Sequence, residues 1–439
     1  SNFWLGFCIM NTGRKRWLTL GYKWRILKET LYCISLRWRY PMSILSTCPV
    51  SMPGLCAGAS INSPTFLMLT SPLKEILTEI TPLESSSNRS ITFTFDYQLK
   101  SLIYYHTEEF ISAQALLEEM QDEDSFAHHN LVPEAGLGES TFYEANTNRG
   151  LTQILEVFDK LSRKVAKRLG LAYARFGDLV AIDGSLIDAT LSMVWADYRD
   201  TKNKAKVHLG FDLNRSIPRK LYLTEGNRAE RPFVSCVLES GQTGVMDRGY
   251  QDHTRFDEWI EEGKHFVARL KNNTRWEVLE KLPFDKNSKV FFFARVQLGD
   301  ENHRMQHPVY LVGFRVGKKI LWVATDRADL TAEEIAFIYS LRWEIEKLFS
   351  WWKRHLKVYH LISRDRHGML LQLLAGLITY LLLVLYCYQL YGEKPSIQRL
   401  RELRRRIRKE TGYVIYMVNI QVNVEPIALL LLFSIHAIF

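Results

Sequence analysis

Apolar residues recur at three- and four-residue intervals in three stretches of the first 170 residues. The spacing predicts amphipathic helices over Leu73–Ile80, Ile111–Met120 and Leu151–Leu169. Thr107 is a candidate cap for the second, and the third turns basic towards its end. Between them, a loop with Pro133 and Gly136 leads through Gly138-Glu139-Ser140-Thr141-Phe142-Tyr143 into a short helix. From about residue 175 the period changes. Asp178–Ile182 and Gly244–Met246 are short apolar runs, each followed by an aspartate, Asp183 and Asp247. Lys206–Leu213 and Lys220–Thr224 alternate as strands around a turn at Asn214–Pro218. Glu230–Glu239 and Asp252–Glu262 read as helices and His265–Leu270 as a strand. Val290–Val296, Val309–Val316 and Ile320–Thr325 make a β-rich stretch within 272–325. A helix is expected over Thr331–Leu356, opened by Thr331 and Glu334 in capping-box spacing.

Leu370–Tyr391 is 22 residues without a charge, long enough to cross a bilayer. It carries Gln372, Thr379 and Gln389 and continues from an amphipathic helix, so it reads as a buried core helix. The apolar tail Ile427–Phe439 is too short to span. Residues 1–70 differ from the rest, rich in Trp, Cys and Arg and then in Ser, Pro and Gly. The chain opens on Ser1, with Met42, Met52 and Met68 as candidate starts. Residues 1–70 are therefore read as an atypical basic segment, a candidate for sequence outside the native fold.

With 439 residues, 47% hydrophobic and 24% charged, the chain is excluded from the disordered and collagen-like classes. Six cysteines without metal-site spacing exclude a disulfide framework and favour a reducing cytoplasm. The net charge of +9 is uneven. Residues 1–74 carry +8 and residues 394–409 carry +7, which leaves a slightly acidic middle. Basic ends on such a core suit a polyanion partner, nucleic acid above all, or else a solvated charged surface.

On a continuous helix Tyr339, Arg342, Glu346 and Lys353 fall on one stripe roughly 60° wide, beside an apolar stripe containing Ile338, Ile345 and Trp352. One face can pack on a sheet while its edge presents a carboxylate among a phenol and two cations. Ordinary helix-surface charge pairing gives the same pattern. Asp183 and Asp247 change the balance, because sheet strand ends are where ligand sites form and a buried carboxylate there needs a cation. Two Asp and one Glu make a hard oxygen site suited to two Mg²⁺ or Mn²⁺ ions. Asp188 is a competing carboxylate on the same segment.

Asp183-Gly184-Ser185, Asp247-Arg248-Gly249-Tyr250 and Tyr339-x2-Arg342-x3-Glu346-x6-Lys353 together resemble the three signature blocks of insertion-sequence transposases of family four. These belong to the DDE class. The resemblance covers about residues 95–392. It implies an α/β fold: a ribonuclease-H-like mixed sheet flanked by helices, with a β-rich insertion before the glutamate helix and an N-terminal helical DNA-binding region. The implied boundaries are 1–70, 71–170, 171–392 (insertion about 272–325) and a basic tail, 393–439. Asp183, Asp247 and Glu346 would be catalytic and metal-binding. Tyr339, Arg342, Lys353, Arg248 and Tyr250 would contact DNA, and Trp276 or Trp322 would be a base-stacking or core aromatic. The implied reaction cleaves the transposon end and joins its 3′-hydroxyl to target DNA. A homodimer on terminal inverted repeats, a bacterial nucleoid-associated location and no membrane are implied with it. The arginine-rich stretch 399–409 is a candidate phosphate clamp. A nuclease without strand transfer, an inactive or domesticated DNA-binding relative, and a protein anchored by 370–391 are the competing readings.

Overall fold

The computed structural model describes residues 63–85, 90–188, 193, 195–196, 203–301 and 303–411. The expectations for residues 1–62, with four of the cysteines, and for the tail beyond 411 lie outside the described residues.

Seven helices come first: α1 (Pro64–Thr70), α2 (Leu73–Thr78), α3 (Phe95–Glu108), α4 (Ala113–Gln121), α5 (Phe126–Leu131), α6 (Glu139–Asn148) and α7 (Leu151–Arg168). The first lies inside the segment set apart by composition. Its Phe66 and Leu69 are buried in the main core, so folded sequence begins before residue 70. Helix α3 escaped the periodicity because it is buried nearly all round, with polar Gln98, Ser101, His106 and Thr107 buried along with Leu99, Leu102, Ile103, Tyr104 and Tyr105. Thr107 lies in its last turn. The cap of α4 is Ser112, whose Oγ accepts from the Ala115 N–H at 3.1 Å.

Nine strands form one mixed sheet: β1 (Asp178–Asp188), β2 (Lys204–Asp212), β3 (Ile217–Glu225), β4 (Gln242–Met246), β5 (His265–Arg269), β6 (Trp276–Lys281), β7 (Val290–Leu298), β8 (Val309–Val316) and β9 (Lys319–Thr325). Their order is β3-β2-β1-β4-β5-β9-β8-β7-β6. The first five make the ribonuclease-H-like half, β1–β3 antiparallel and β1, β4 and β5 parallel. The insertion forms no separate layer. Its last strand, β9, pairs antiparallel with β5 and extends the same sheet. Short helices α8 (Pro232–Val237) and α9 (His253–Glu261) connect β3 to β4 and β4 to β5.

The expected helix over Thr331–Leu356 is two: α10 (Ala332–Ser340), opened by the capping box of Thr331 and Glu334, and α11 (Trp343–His355). Between them the N–H groups of Arg342 and Ile345 turn to the carbonyls three residues back, at 3.1 and 3.2 Å. This tight turn shifts the phase between Tyr339 and the residues after it.

Helix α12 (Arg366–Tyr391) is long and apolar enough to cross a membrane, yet from Gly368 to Cys387 nearly every side chain is buried inside the protein. It packs on α3, α6, α7 and α11, which joins the N-terminal helices and the sheet-bearing half in one core. Gly376 permits the close approach of α11, since a Cβ there would stand 2.7 Å from Trp352 Nε1. The arginine-rich helix at 397–411 is tied down from within. Buried Arg404 donates to the carbonyls of Thr107 and, at 2.7 Å, of His355, closing the C-terminal ends of α3 and α11.

Candidate active site

Sheet register creates the site. β1 pairs in parallel with β4 up to Ile182 opposite Met246, so the next residues, Asp183 and Asp247, stand side by side. Here β4 stops, while β1 continues to Asp188 against β2 alone; Asp183 therefore lies within its strand, at the point where the parallel neighbour ends. Asp183 Oδ1 accepts from the Gly184 N–H at 2.9 Å.

Helix α11 packs on β1 and supplies the third carboxylate. Arg342, at the α10–α11 turn and 7% exposed, joins two of the three. Its Nη1 donates to Asp183 Oδ2 at 3.3 Å, and its Nη2 donates to Glu346 Oε1. Asp247 Oδ1 accepts from the Tyr339 hydroxyl at 3.2 Å and from Arg269 Nη1 at 3.3 Å. Burial pushes the Asp183 carboxyl up to about 6, although Arg342 and the Gly184 N–H pull the other way. Burial likewise pushes the Tyr339 phenol up to about 12.

The residues read from the sequence thus converge in part. Asp183, Asp247, Glu346, Tyr339 and Arg342 meet in one network. Lys353 stands further along β1, where its Nζ donates to the Leu186 carbonyl at 2.6 Å and burial lowers its pKa. Asp188 lies apart, highly exposed and paired with Lys204 at 2.7 Å. Arg248 is exposed beside Asp247, in an open depression also lined by Lys271, Asn272 and Asn273. Tyr250 is buried and cannot act as a surface contact. Trp276 and Trp322 pack on each other, 4.9 Å between ring centroids, and against the second core cluster. Arg399, Arg406 and Arg408 of the C-terminal helix are engaged by Glu393, Glu402 and Glu108, leaving Arg401 and Arg405 on its exposed side.

Two residues at the site had no motif to mark them. Arg269 ends β5, and Glu230 precedes Pro232 at the start of α8. Glu230 pairs with Lys206 at 3.4 Å. Proline at N1 after a charged residue was the only signal for the second.

Carboxylates gathered at the edge of a ribonuclease-H-like sheet, flanked by arginines, define a class of enzymes that act on nucleic acid. The comparisons narrow the class. Residues 174–382 match the family described as Transposase DDE domain. A Synechocystis protein described as a transposase of insertion sequence element IS4SA is 25% identical over 63% of this chain and 79% of its own length. A Geobacillus stearothermophilus protein described as a transposase of element IS5377 is 30% identical over 43% of this chain and 51% of its own. A Sinorhizobium fredii protein described as transposase y4zB is 28% identical over 56% and 70%. Residues 174–382 are thus similar to a transposase DDE domain, and the chain resembles transposases of insertion sequences.

Proposed function

We propose that this chain is a transposase of the family-four type, which cleaves phosphodiester bonds at the ends of its element and joins the freed 3′-hydroxyls to target DNA. The carrying observation is the register that sets Asp183 beside Asp247, with Glu346 joined to Asp183 through Arg342.

Asp183, Asp247 and Glu346 would hold divalent ions, Mg²⁺ or Mn²⁺. The donor chemistry fits: all are hard carboxylate oxygens, and two already share one cationic group. Among the described residues no three such side chains yet converge on one ion-sized point. Closure therefore requires Arg342 to release its two carboxylates. The ions, when bound, supply an activated water and neutralise charge on the leaving oxygen. No residue needs to form a covalent bond to DNA.

The remaining roles fall to the chain itself. Once Arg342 lets go of Asp183 and Glu346, its fork fits a phosphate in their place. Arg248 and Lys271, in the depression beside Asp247, offer the scissile strand a second cationic contact. Tyr339 holds Asp247 through its hydroxyl and so orients that carboxylate rather than the DNA. Lys353 would reach the backbone only by leaving the Leu186 carbonyl. The helices within 71–170 bind the terminal inverted repeats in this reading, and cutting two ends together requires at least a dimer on DNA.

The test is Glu346→Gln on a supercoiled plasmid carrying the element's ends. Metal-dependent cleavage and joining should vanish while end binding in a gel-shift assay stays within about threefold, since one ligand charge and little volume are removed. Loss of binding and cleavage together would make Glu346 structural. Cut ends that are never joined would leave a nuclease.

A further inference from the structure

Glu230 has no role in the network above. Its Oε1 lies 2.9 Å from where a Cβ on Gly184 would stand, and its Oε2 lies 3.2 Å from the corresponding point on Gly249. These glycines follow Asp183 by one residue and Asp247 by two. Side chains alternate across a strand, so Gly184 opens towards the face opposite the Asp183 carboxylate. Glu230 reaches the same sheet edge from that second face, through space that only glycine leaves free. Its loop is tethered there, because Arg231 donates through Nε to the Gly249 carbonyl at 3.4 Å and pairs with Asp252 at 3.3 Å.

A second observation points into the same space. Among the described residues the buried Tyr250 hydroxyl finds no hydrogen-bond partner, in a side chain only 1% exposed. Burial first, then the charges of Glu230, Asp183 and Asp247, drive its phenol well above the ordinary range. A buried hydroxyl among three carboxylates, bonded to none of them, lacks an acceptor that bound water would supply.

We propose that Glu230 is a fourth carboxylate of the active site, a positioning residue that accepts hydrogen bonds from the water shell of a divalent ion held by Asp183 and Asp247. This inference rests on the reading of Asp183 and Asp247 as metal ligands. Glu230 acts from the far face through water, with Tyr250 donating into the same shell. The pair with Lys206, whose Nζ also donates to the Arg228 carbonyl at 3.1 Å, keeps the carboxylate aimed at the rim.

Mn²⁺ binding to the full metal-free chain, followed by electron paramagnetic resonance without DNA, tests this independently of catalysis. Glu230→Gln should weaken binding about tenfold, the usual scale for groups that orient a metal's ligands. Gly184→Ala should do the same by displacing the carboxylate without removing it, and it serves if Glu230→Gln misfolds. Asp183→Asn is the control. If it abolishes binding while both other variants bind within twofold of wild type, the role of Glu230 is overturned and the metal site stands. If Asp183→Asn also binds normally, the reading of the site itself fails.

Discussion

Replacing Asp183 with Asn should make the metal-free protein more stable while destroying its chemistry. The carboxyl is raised from 3.8 to about 6, so ionising it costs more in the folded chain than in the unfolded one. That cost is absent below pH 3.8, grows as pH rises, and is complete above 6. At 1.36 kcal/mol per unit the gap amounts to about 3 kcal/mol at pH 8, with roughly half of it present at pH 5. Asparagine fixes the neutral state at nearly the same volume, and the raised value already includes the attraction of Arg342. In EDTA at pH 8 the variant should melt roughly 3–6 °C above wild type. The difference should halve at pH 5. Added Mn²⁺ should narrow or reverse it, because only wild type gains stability from binding the ion. A variant that melts at or below wild type in EDTA at pH 8 would refute the reasoning, as would a difference that does not change with pH.

Arg342→Gln removes the one cation shared by Asp183 and Glu346, and should cost about 2–4 kcal/mol in EDTA. Thermal shift should show Mn²⁺ restoring more stability to this variant than to wild type; an equal response would mean the two carboxylates do not share an ion. Gly376→Ala forces a methyl to within 2.6 Å of Val358 Cγ1 and 2.7 Å of Trp352 Nε1. Urea unfolding should show a loss of about 1–3 kcal/mol, with cleavage falling further as α11 and Glu346 are displaced together.

The three proposed site carboxylates were legible because their placement rests on local pattern. An apolar run followed by Asp marks where parallel pairing between β1 and β4 ends, and the spacing of Arg342 and Glu346 holds within a single turn of helix. What local pattern could not carry was context. Helix α3 hides its period because tertiary burial surrounds it. The break between α10 and α11 contains neither Pro nor Gly to announce it, and it sends Tyr339 to Asp247 while Arg342 reaches Asp183. The arginines near 400 look in sequence like a clamp for phosphates, yet Arg404 is spent on two backbone carbonyls and Glu109. Glu230 depends on a missing side chain at Gly184, an absence that acquires meaning only when β1 and α8 are placed together.

The site gathers several strained or unsatisfied groups in one place. Among the described residues Arg342 Nε and the Tyr250 hydroxyl are buried without partners, Asp183 is held against its tendency to ionise, and Arg342 stands in for a cation between two carboxylates. Each feature costs stability in the protein alone, and under the proposed function each would be relieved by the same event, arrival of a hydrated divalent ion and a phosphate. In the proposed reading Asp183, Asp247 and Glu346 would hold the ion, Tyr250 would donate to its water shell, and Arg342 would be free to meet a DNA phosphate. Metal and DNA should therefore bind with positive coupling, since each completes the partners the other leaves open. End binding that is equally tight in Mn²⁺ and in EDTA would show that Arg342 does not exchange one partner for the other.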